Sequence, residues 1–74
     1  MLRRNWLKKA TKRVVIVHTT NDQSFQGPLV DAYLDGLVLR PATLLGDGTP
    51  NGTQLAGEVF LPRETVLFVQ LAGS

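Results

Sequence analysis

The sequence predicts a mainly β fold class, with an N-terminal α-helix followed by a five-stranded, strongly bent β-barrel. Three observations predict it. Apolar residues recur at helical spacing up to residue 13, five short apolar or alternating runs follow, and glycines interrupt the second and fourth of these runs. Glycine inside a strand permits the sharp bends that a small barrel needs. We therefore predict a basic amphipathic helix over residues 1–13 and a barrel over residues 14–74.

The predicted helix, residues 2–13, carries six of the eight lysines and arginines of the chain. On a helix, Leu2 and Trp6 share an apolar side, and the bases lie opposite. An aromatic side chain surrounded by charge is typical of interface centres, which favours docking on a partner. The alternative is a helix that caps an open barrel end while its charges are solvated. The predicted docking residues are Leu2, Arg3, Arg4, Trp6, Lys8, Lys9 and Lys12.

The first two strands are predicted as a hairpin. The first strand is predicted over residues 13–19, where the β-branched side chains of residues 14–17 are apolar on both faces, as in a strand covered on two sides. A polar turn leads to a second strand over residues 24–30, in which Gly27 indicates a bend and Pro28 lacks the N–H that a ladder needs. A short link over residues 31–36 is predicted to follow.

Three more strands are predicted over residues 37–45, 53–61 and 66–71, with a glycine-rich loop at residues 46–52. The last strand is apolar on both faces, and such an edge promotes aggregation unless a neighbour pairs with it. We expect it to pair with the bent fourth strand of a neighbouring copy, and rotation of that contact gives a ring. The predicted pairing residues are Val66, Leu67, Phe68, Val69 and Gln70.

Composition excludes several kinds of stabilisation and function. A chain of 74 residues buries only about 60% of its unfolded surface, so it needs additional stabilisation. Because it has no cysteine and one histidine, a disulfide and a structural zinc are excluded, and self-association remains. His18 has no serine or carboxylate at a motif spacing, so we predict no enzymatic activity. We also predict no cofactor, no metal site and no membrane partner.

The charges of the two parts are opposite in sign. Residues 14–74 hold two bases against six acids, a net −4, whereas residues 2–13 carry +6. A phosphate-bearing partner is repelled by the acidic part and attracted by the basic segment. The segment is therefore the predicted contact for an anionic partner.

Residues 14–70 resemble the Sm-like family, the fold of Lsm proteins and bacterial Hfq. The resemblance rests on F-x-G-x-L at residues 25–29, D-G-L-V-L at residues 35–39 and G-E-V-F-L-P-R-E-T-V at residues 57–66. It implies a small bent barrel that assembles with copies of itself.

The resemblance also implies where a nucleic acid would bind. In Sm-like RNA binders the loop after the second strand carries an Asp and an Asn that help to hold a base, and an Arg-Gly pair of the second motif lines the site. Here Gly36 stands in place of the Asn, and Pro62-Arg63 replaces the pair. The implied nucleic-acid candidates are Tyr33, Arg40 and Arg63.

A narrower resemblance is to small structural proteins of tailed phages that infect actinobacteria. It rests on the basic start containing Trp6, on D-G-L-V-L-R-x-A at residues 35–42 and on G-E-V-x-L-P-x-x-x-V-x-F-V-Q at residues 57–70. It implies a virion component near the head or portal vertex, with phage head or portal proteins or copies of itself as partners, assembled in the host cytoplasm. The alternative is an oligomeric, cytoplasmic Sm-like protein that binds RNA or another nucleic acid.

Overall fold

Short runs of aliphatic residues form most of the structure. The computed structural model describes residues 10–46, 48 and 50–72. In this part of the chain, seven strands form one bent antiparallel sheet, and a 3₁₀ turn, Arg63–Thr65, precedes the last strand. The strands are β1 Val14–Thr19, β2 Ser24–Tyr33, β3 Gly36–Leu39, β4 Ala42–Leu45, β5 Thr53–Leu55, β6 Val59–Pro62 and β7 Val66–Leu71.

The long strand β2 organises the sheet. Its first half pairs with β1 and β4, and its second half pairs with β3, which in turn pairs with β6. The order of the main path is β5-β4-β2-β1-β7. Gly27 lies between these two halves, and a Cβ atom there would overlap the carbonyl oxygen of Pro41. Only glycine lets the connection between β3 and β4 cross β2 this closely.

The core lies on one face of the sheet. Alternation in β1 and β2 points every second side chain inward, and Val15, Val17, Leu29 and Leu39 are fully buried. Each such side chain contributes roughly 1.5–3 kcal/mol to stability. The buried apolar cluster consists of Ala10, Val15, Val17, Phe25, Leu29, Leu37, Leu39, Ala42 and Leu61.

The predicted fold class is wrong in its helix and in its strand number. Of residues 2–13, the structure describes 10–13, in which only Ala10 is helical. Lys12 has a left-handed φ of 75°, and its N–H donates to the carbonyl oxygen of Leu29 at 2.7 Å. A left-handed residue ends a helix. The hydrogen bond from Lys12 to Leu29 of β2 shows that the chain has already joined the sheet at Lys12. The remainder of the predicted helix lies outside the described residues.

The structure has seven strands where five were predicted, because two of the predicted strands are interrupted. The third breaks at Arg40-Pro41, where proline cannot donate to a ladder, so β3 and β4 are separate strands. The fourth breaks before β6 at Gly57, which has a φ of 73°. The second strand is also longer than predicted, because β2 runs through Tyr33 and pairs there with Gly36.

Candidate functional site

A shallow, open pocket lies where the turn between β2 and β3 meets the 3₁₀ turn. Its lining residues are Tyr33, Gly36, Leu37, Arg63 and Val66, and its volume is about 60 Å³. Small-molecule sites typically have about 300–1,000 Å³. The pocket therefore fits part of a flat ring rather than a whole ligand. It brings together Tyr33 and Arg63, two of the three residues that the sequence implied for nucleic acid.

Backbone hydrogen bonds hold the two sides of the pocket together. The N–H of Arg63 donates to the carbonyl oxygen of Asp35 at 2.8 Å, which joins the 3₁₀ turn to the β2–β3 turn. The hydroxyl of Thr65 donates to the carbonyl oxygen of Pro62 at 2.8 Å. The N–H of Thr20 then donates to the carbonyl oxygen of Thr65 at 2.9 Å. These hydrogen bonds fix the main chain of the segment that carries Arg63. The guanidinium of Arg63 takes part in none of them and is available to a ligand.

Gly36 forms a part of the pocket where no side chain fits. A Cβ atom there would lie 2.5 Å from the carbonyl oxygen of Leu61 and 2.5 Å from the ring of Phe60. Both distances are below those of real Cβ contacts, and one of the two atoms belongs to the backbone. The position beside Tyr33 is therefore occupied by main chain alone.

Tyr33 presents an accessible ring in an acidic field. The residue is 54% exposed. A hydrogen bond to the Asp31 carboxylate raises the pKa of Tyr33 above its ordinary value, and the charges of Asp31, Glu58 and Asp35 raise it further. The phenol therefore stays protonated at neutral pH.

We expect Asp31→Asn to lower the pKa of Tyr33. The substitution removes the carboxylate of Asp31, whose hydrogen bonding and negative charge are the main causes of the raised pKa. Tyr33 is the only tyrosine, so tyrosinate absorbance reports it alone. In the intact protein the midpoint of the tyrosinate titration should lie above 10.0, the ordinary pKa of tyrosine, and in Asp31→Asn it should move toward that value. Asp22→Asn removes a carboxylate that does not act on Tyr33, so it should leave the midpoint of the titration unchanged.

Arg40, the third implied residue, does not line this pocket. Its guanidinium Nη1 lies 3.5 Å from Oε2 of Glu58, and both side chains are more than half exposed. Such a solvent-exposed pair contributes about 0–1 kcal/mol. Arg40 is thus placed beside an acid, whereas Arg63 forms no ion pair within the described part of the chain.

The predicted pairing strand β7 has one free edge. In the described part of the chain, β7 pairs with β1 alone and β6 pairs with β3 alone. The N–H of Ala72 donates to the carbonyl oxygen of Val14 at 3.0 Å, so residue 72 faces β1. Backbone N–H groups point alternately to the two sides of an antiparallel strand. The N–H of Gln70 therefore also points toward β1, and the N–H of Val69 points away from it. The backbone groups of Val69 are therefore available to another strand.

Exposed apolar side chains accompany these free edges. Phe60 on β6 is 48% exposed, and on β7 Leu67 is 62% and Phe68 is 52% exposed. Unpaired edges with apolar side chains are templates for strand addition. The sequence indicated β7 through its two-sided apolar pattern, but nothing in it singled out Phe60.

His18 lies on the outer face of β1, between β2 and β7. Its Nε2 donates to Oε1 of Gln70 at 3.1 Å, which leaves Nδ1 to accept from the hydroxyl of Ser24 at 3.1 Å. Its ring stacks on Phe68 with centroids 4.3 Å apart. Both ring nitrogens are therefore engaged, which is the arrangement of a structural histidine.

Two further findings concern the described residues alone. They contain no group of three or more His, Asp or Glu side chains placed to hold a metal ion. None of their helices has the length and apolar character needed to cross a bilayer. Of the residues predicted to dock on a partner, Lys12 is described, and Leu2, Arg3, Arg4, Trp6, Lys8 and Lys9 lie outside the described part.

Solved structures share this arrangement of strands. A heptameric SmAP protein of Pyrobaculum aerophilum superimposes with a TM-score of 0.87 at 20% identity, covering 100% of this chain and 97% of its own. The Sm protein of Pyrococcus abyssii, solved in complex with a uridine heptamer, has a TM-score of 0.81 at 18% identity and covers 93% and 96%. A novel Sm-like protein of Pyrobaculum aerophilum has a TM-score of 0.79 at 18% identity and covers 95% and 51%.

These similarities establish an Sm-like fold. The chain spans about half of the last of these proteins and nearly all of the other two. No protein-family model and no curated protein matches the sequence. No similarity found supports the narrower resemblance to phage structural proteins.

Proposed function

We propose that this chain is a self-associating, non-enzymatic Sm-like protein that binds single-stranded RNA. The observation that carries the proposal is the pocket in which an exposed aromatic ring, Tyr33, lies with Arg63, whose guanidinium forms no ion pair among the described residues. Support comes from the shared fold and from the Pyrococcus abyssii protein, which was solved with a uridine heptamer. Support for self-association comes from the free edges of β6 and β7 and from the heptameric Pyrobaculum aerophilum protein.

The pocket provides the two interactions by which proteins bind single-stranded RNA, stacking on a base and contact with a phosphate. A base can stack on Tyr33, because its ring is accessible and every base has a π-face. Arg63 can donate to a phosphate or to a base acceptor, and its guanidinium can also stack. Stacking on an aromatic side chain contributes roughly 1–3 kcal/mol per base.

The charges around the pocket determine the orientation of the bound RNA. Asp31, Asp35 and Glu58 act on Tyr33, so phosphates are repelled near its ring. The base therefore enters the pocket, and the phosphates lie toward Arg63. This arrangement makes affinity strongly dependent on salt, because most of the attraction comes from lysines and arginines.

We expect Tyr33→Ala and Arg63→Ala each to weaken binding of a 5′-labelled uridine heptamer by about 5- to 150-fold, the equivalent of roughly 1–3 kcal/mol. Fluorescence anisotropy at physiological salt measures the dissociation constants. Arg40→Ala is the matched control, since it removes the same charge outside the pocket. Loss of binding in Arg40→Ala equal to that in Arg63→Ala would show that only net charge matters. Absence of binding by the intact protein would reject the proposed function.

The structure and the similarities favour RNA binding over the role in a phage particle. The similar folds belong to archaeal Sm proteins, one of which was solved in complex with a uridine heptamer. A virion role for this chain stays a prediction from the sequence.

A further inference from the structure

One side chain of the pocket is equipped to identify a base by its edge. Recognition of a base requires donors and acceptors that match the pattern along that edge. Of the lining residues, Leu37 and Val66 are apolar, and Gly36 has no side chain. Tyr33 offers the accessible face of its ring, on which a base of any kind can stack. The guanidinium of Arg63 is therefore the group that can discriminate among bases.

The guanidinium of Arg63 extends from a fixed main chain and is available to a base. The N–H of Arg63 donates to the carbonyl oxygen of Asp35 at 2.8 Å, which anchors the residue beside the pocket. Arg40 lies beside Glu58, whereas Arg63 forms no ion pair within the described residues. A guanidinium carries five N–H donors in one plane and no acceptor. Two parallel donors can therefore meet a base while another donates to a phosphate.

Position 36 excludes a second side chain that could read a base. A Cβ atom at Gly36 would lie 2.5 Å from the ring of Phe60 and 2.5 Å from the carbonyl oxygen of Leu61. Amide side chains present a donor beside an acceptor, which is the pattern that pairs with adenine. No amide can be placed beside Tyr33 from this position without moving the backbone of β6. Reading of the base edge is therefore left to the donors of Arg63.

A group that only donates hydrogen bonds favours guanine. Guanine presents two adjacent acceptors, O6 and N7, and a bidentate arginine contact to this pair is the commonest specific contact between a side chain and a base. In adenine, N7 stands beside the N6 amino donor, and in uracil, O4 stands beside the N3–H donor. Cytosine also has adjacent acceptors, N3 and O2, but its single ring covers less of Tyr33 when it stacks.

The acidic surroundings of Tyr33 favour the same base. The negative charges of Asp31, Glu58 and Asp35 act on Tyr33. A negative field attracts the donor groups of a base and repels its acceptors. Besides its acceptor pair, guanine carries a donor pair, N1–H and the 2-amino group. It therefore combines acceptors for the cation with donors that the carboxylates favour.

We infer that this pocket selects an unpaired guanine, whose ring stacks on Tyr33 while its O6 and N7 accept hydrogen bonds from the guanidinium of Arg63. The inference rests on the proposed function and specifies which base of the RNA enters the pocket. A bidentate contact of this kind discriminates against the wrong base by roughly 5- to 150-fold.

The test uses 5′-labelled heptamers of six uridines and one variable central nucleotide, with dissociation constants measured by fluorescence anisotropy. We expect the guanosine heptamer to bind the intact protein roughly 5- to 150-fold more tightly than the adenosine and uridine heptamers. The affinity of the cytidine heptamer should lie between these values. A 7-deazaguanosine heptamer keeps both rings and O6 but has carbon in place of N7, so it should lose most of the advantage.

Two variants assign the preference to one guanidinium. Arg63→Ala should bind the guanosine and adenosine heptamers alike, because the paired donors are gone. Arg40→Ala removes the same charge outside the pocket and should keep the preference for guanosine. Far-UV circular dichroism shows whether both variants fold. The comparison of guanosine with 7-deazaguanosine uses the intact protein, so it does not depend on the folding of a variant.

Each contrary outcome has a separate meaning. Binding of the adenosine, cytidine or 7-deazaguanosine heptamer as tight as that of the guanosine heptamer would overturn the inference and leave the proposed function standing. A preference for guanosine that persists in Arg63→Ala would overturn it by placing recognition elsewhere. Absence of binding by every heptamer would reject the proposed function itself.

Discussion

Replacing Gly27 with alanine is expected to destabilise the fold by about 3 kcal/mol, near the upper end for overpacking. A Cβ atom at this position would overlap the carbonyl oxygen of Pro41 and lie 3.3 Å from Cα of Ala42. Both atoms are backbone, so a change of rotamer cannot relieve the contact, and the connection between β3 and β4 must move off β2. Thermal unfolding followed by circular dichroism at one protein concentration should show a midpoint lower by roughly 12–24 °C.

Gly57→Asn is the matched control for this prediction. A Cβ atom at Gly57 meets no atom within 4 Å, and asparagine tolerates its φ of 73° better than other residues. The control should unfold within a few degrees of the intact protein. A Gly27→Ala variant as stable as Gly57→Asn would mean that β2 and the β3–β4 connection are not packed as closely as the structure shows.

The same region explains which parts of the fold the sequence could predict. Strands β1 and β7 follow from uninterrupted apolar runs, and their bounds differ little from the predicted ones. The break at Pro41 was visible as a proline, yet the surrounding leucines continue the alternation, so the pattern favoured one strand. Tertiary pairing also separates β3 from β4, because β3 joins β6 while β4 joins β5. Local periodicity cannot report such a change of partner.

The N-terminal error has a similar cause. The spacing of Leu2, Trp6 and Ala10 indicates a helix but contains no signal for its last residue. The left-handed φ of Lys12 is what ends helical geometry, and lysine rarely adopts that conformation, so the residue type gave no warning.

The candidate site was predictable only in part. Tyr33 and Arg63 are far apart in the sequence, and it was the family resemblance, rather than any spacing, that implied a shared site. Arg40 was among the implied residues, but the sequence could not show that Glu58 lies beside it. The closure of Gly36 by Phe60 and Leu61 required coordinates, because it depends on the register of β3 against β6.

Replacing Val69 with proline is expected to abolish self-association while the fold remains. The N–H of Val69 points away from β1, so its loss does not remove a hydrogen bond of the β1–β7 ladder. It does remove a donor from the free edge, and it leaves an acceptor on the neighbouring strand without a partner. The cost is about 3 kcal/mol at each interface, or about 150-fold in affinity.

Sedimentation velocity should show the intact protein as an assembly and Val69→Pro as a protomer, with far-UV circular dichroism alike for both. Val69→Ala keeps the N–H while shortening the side chain, so it should still assemble. Gln70→Pro is the opposite control: its N–H faces β1, and losing it should disturb the fold itself. If Val69→Pro assembles like the intact chain, the edge of β7 is not the pairing surface. A protomeric intact protein would reject self-association altogether, and with it the stabilisation that a chain without disulfides obtains from its neighbours.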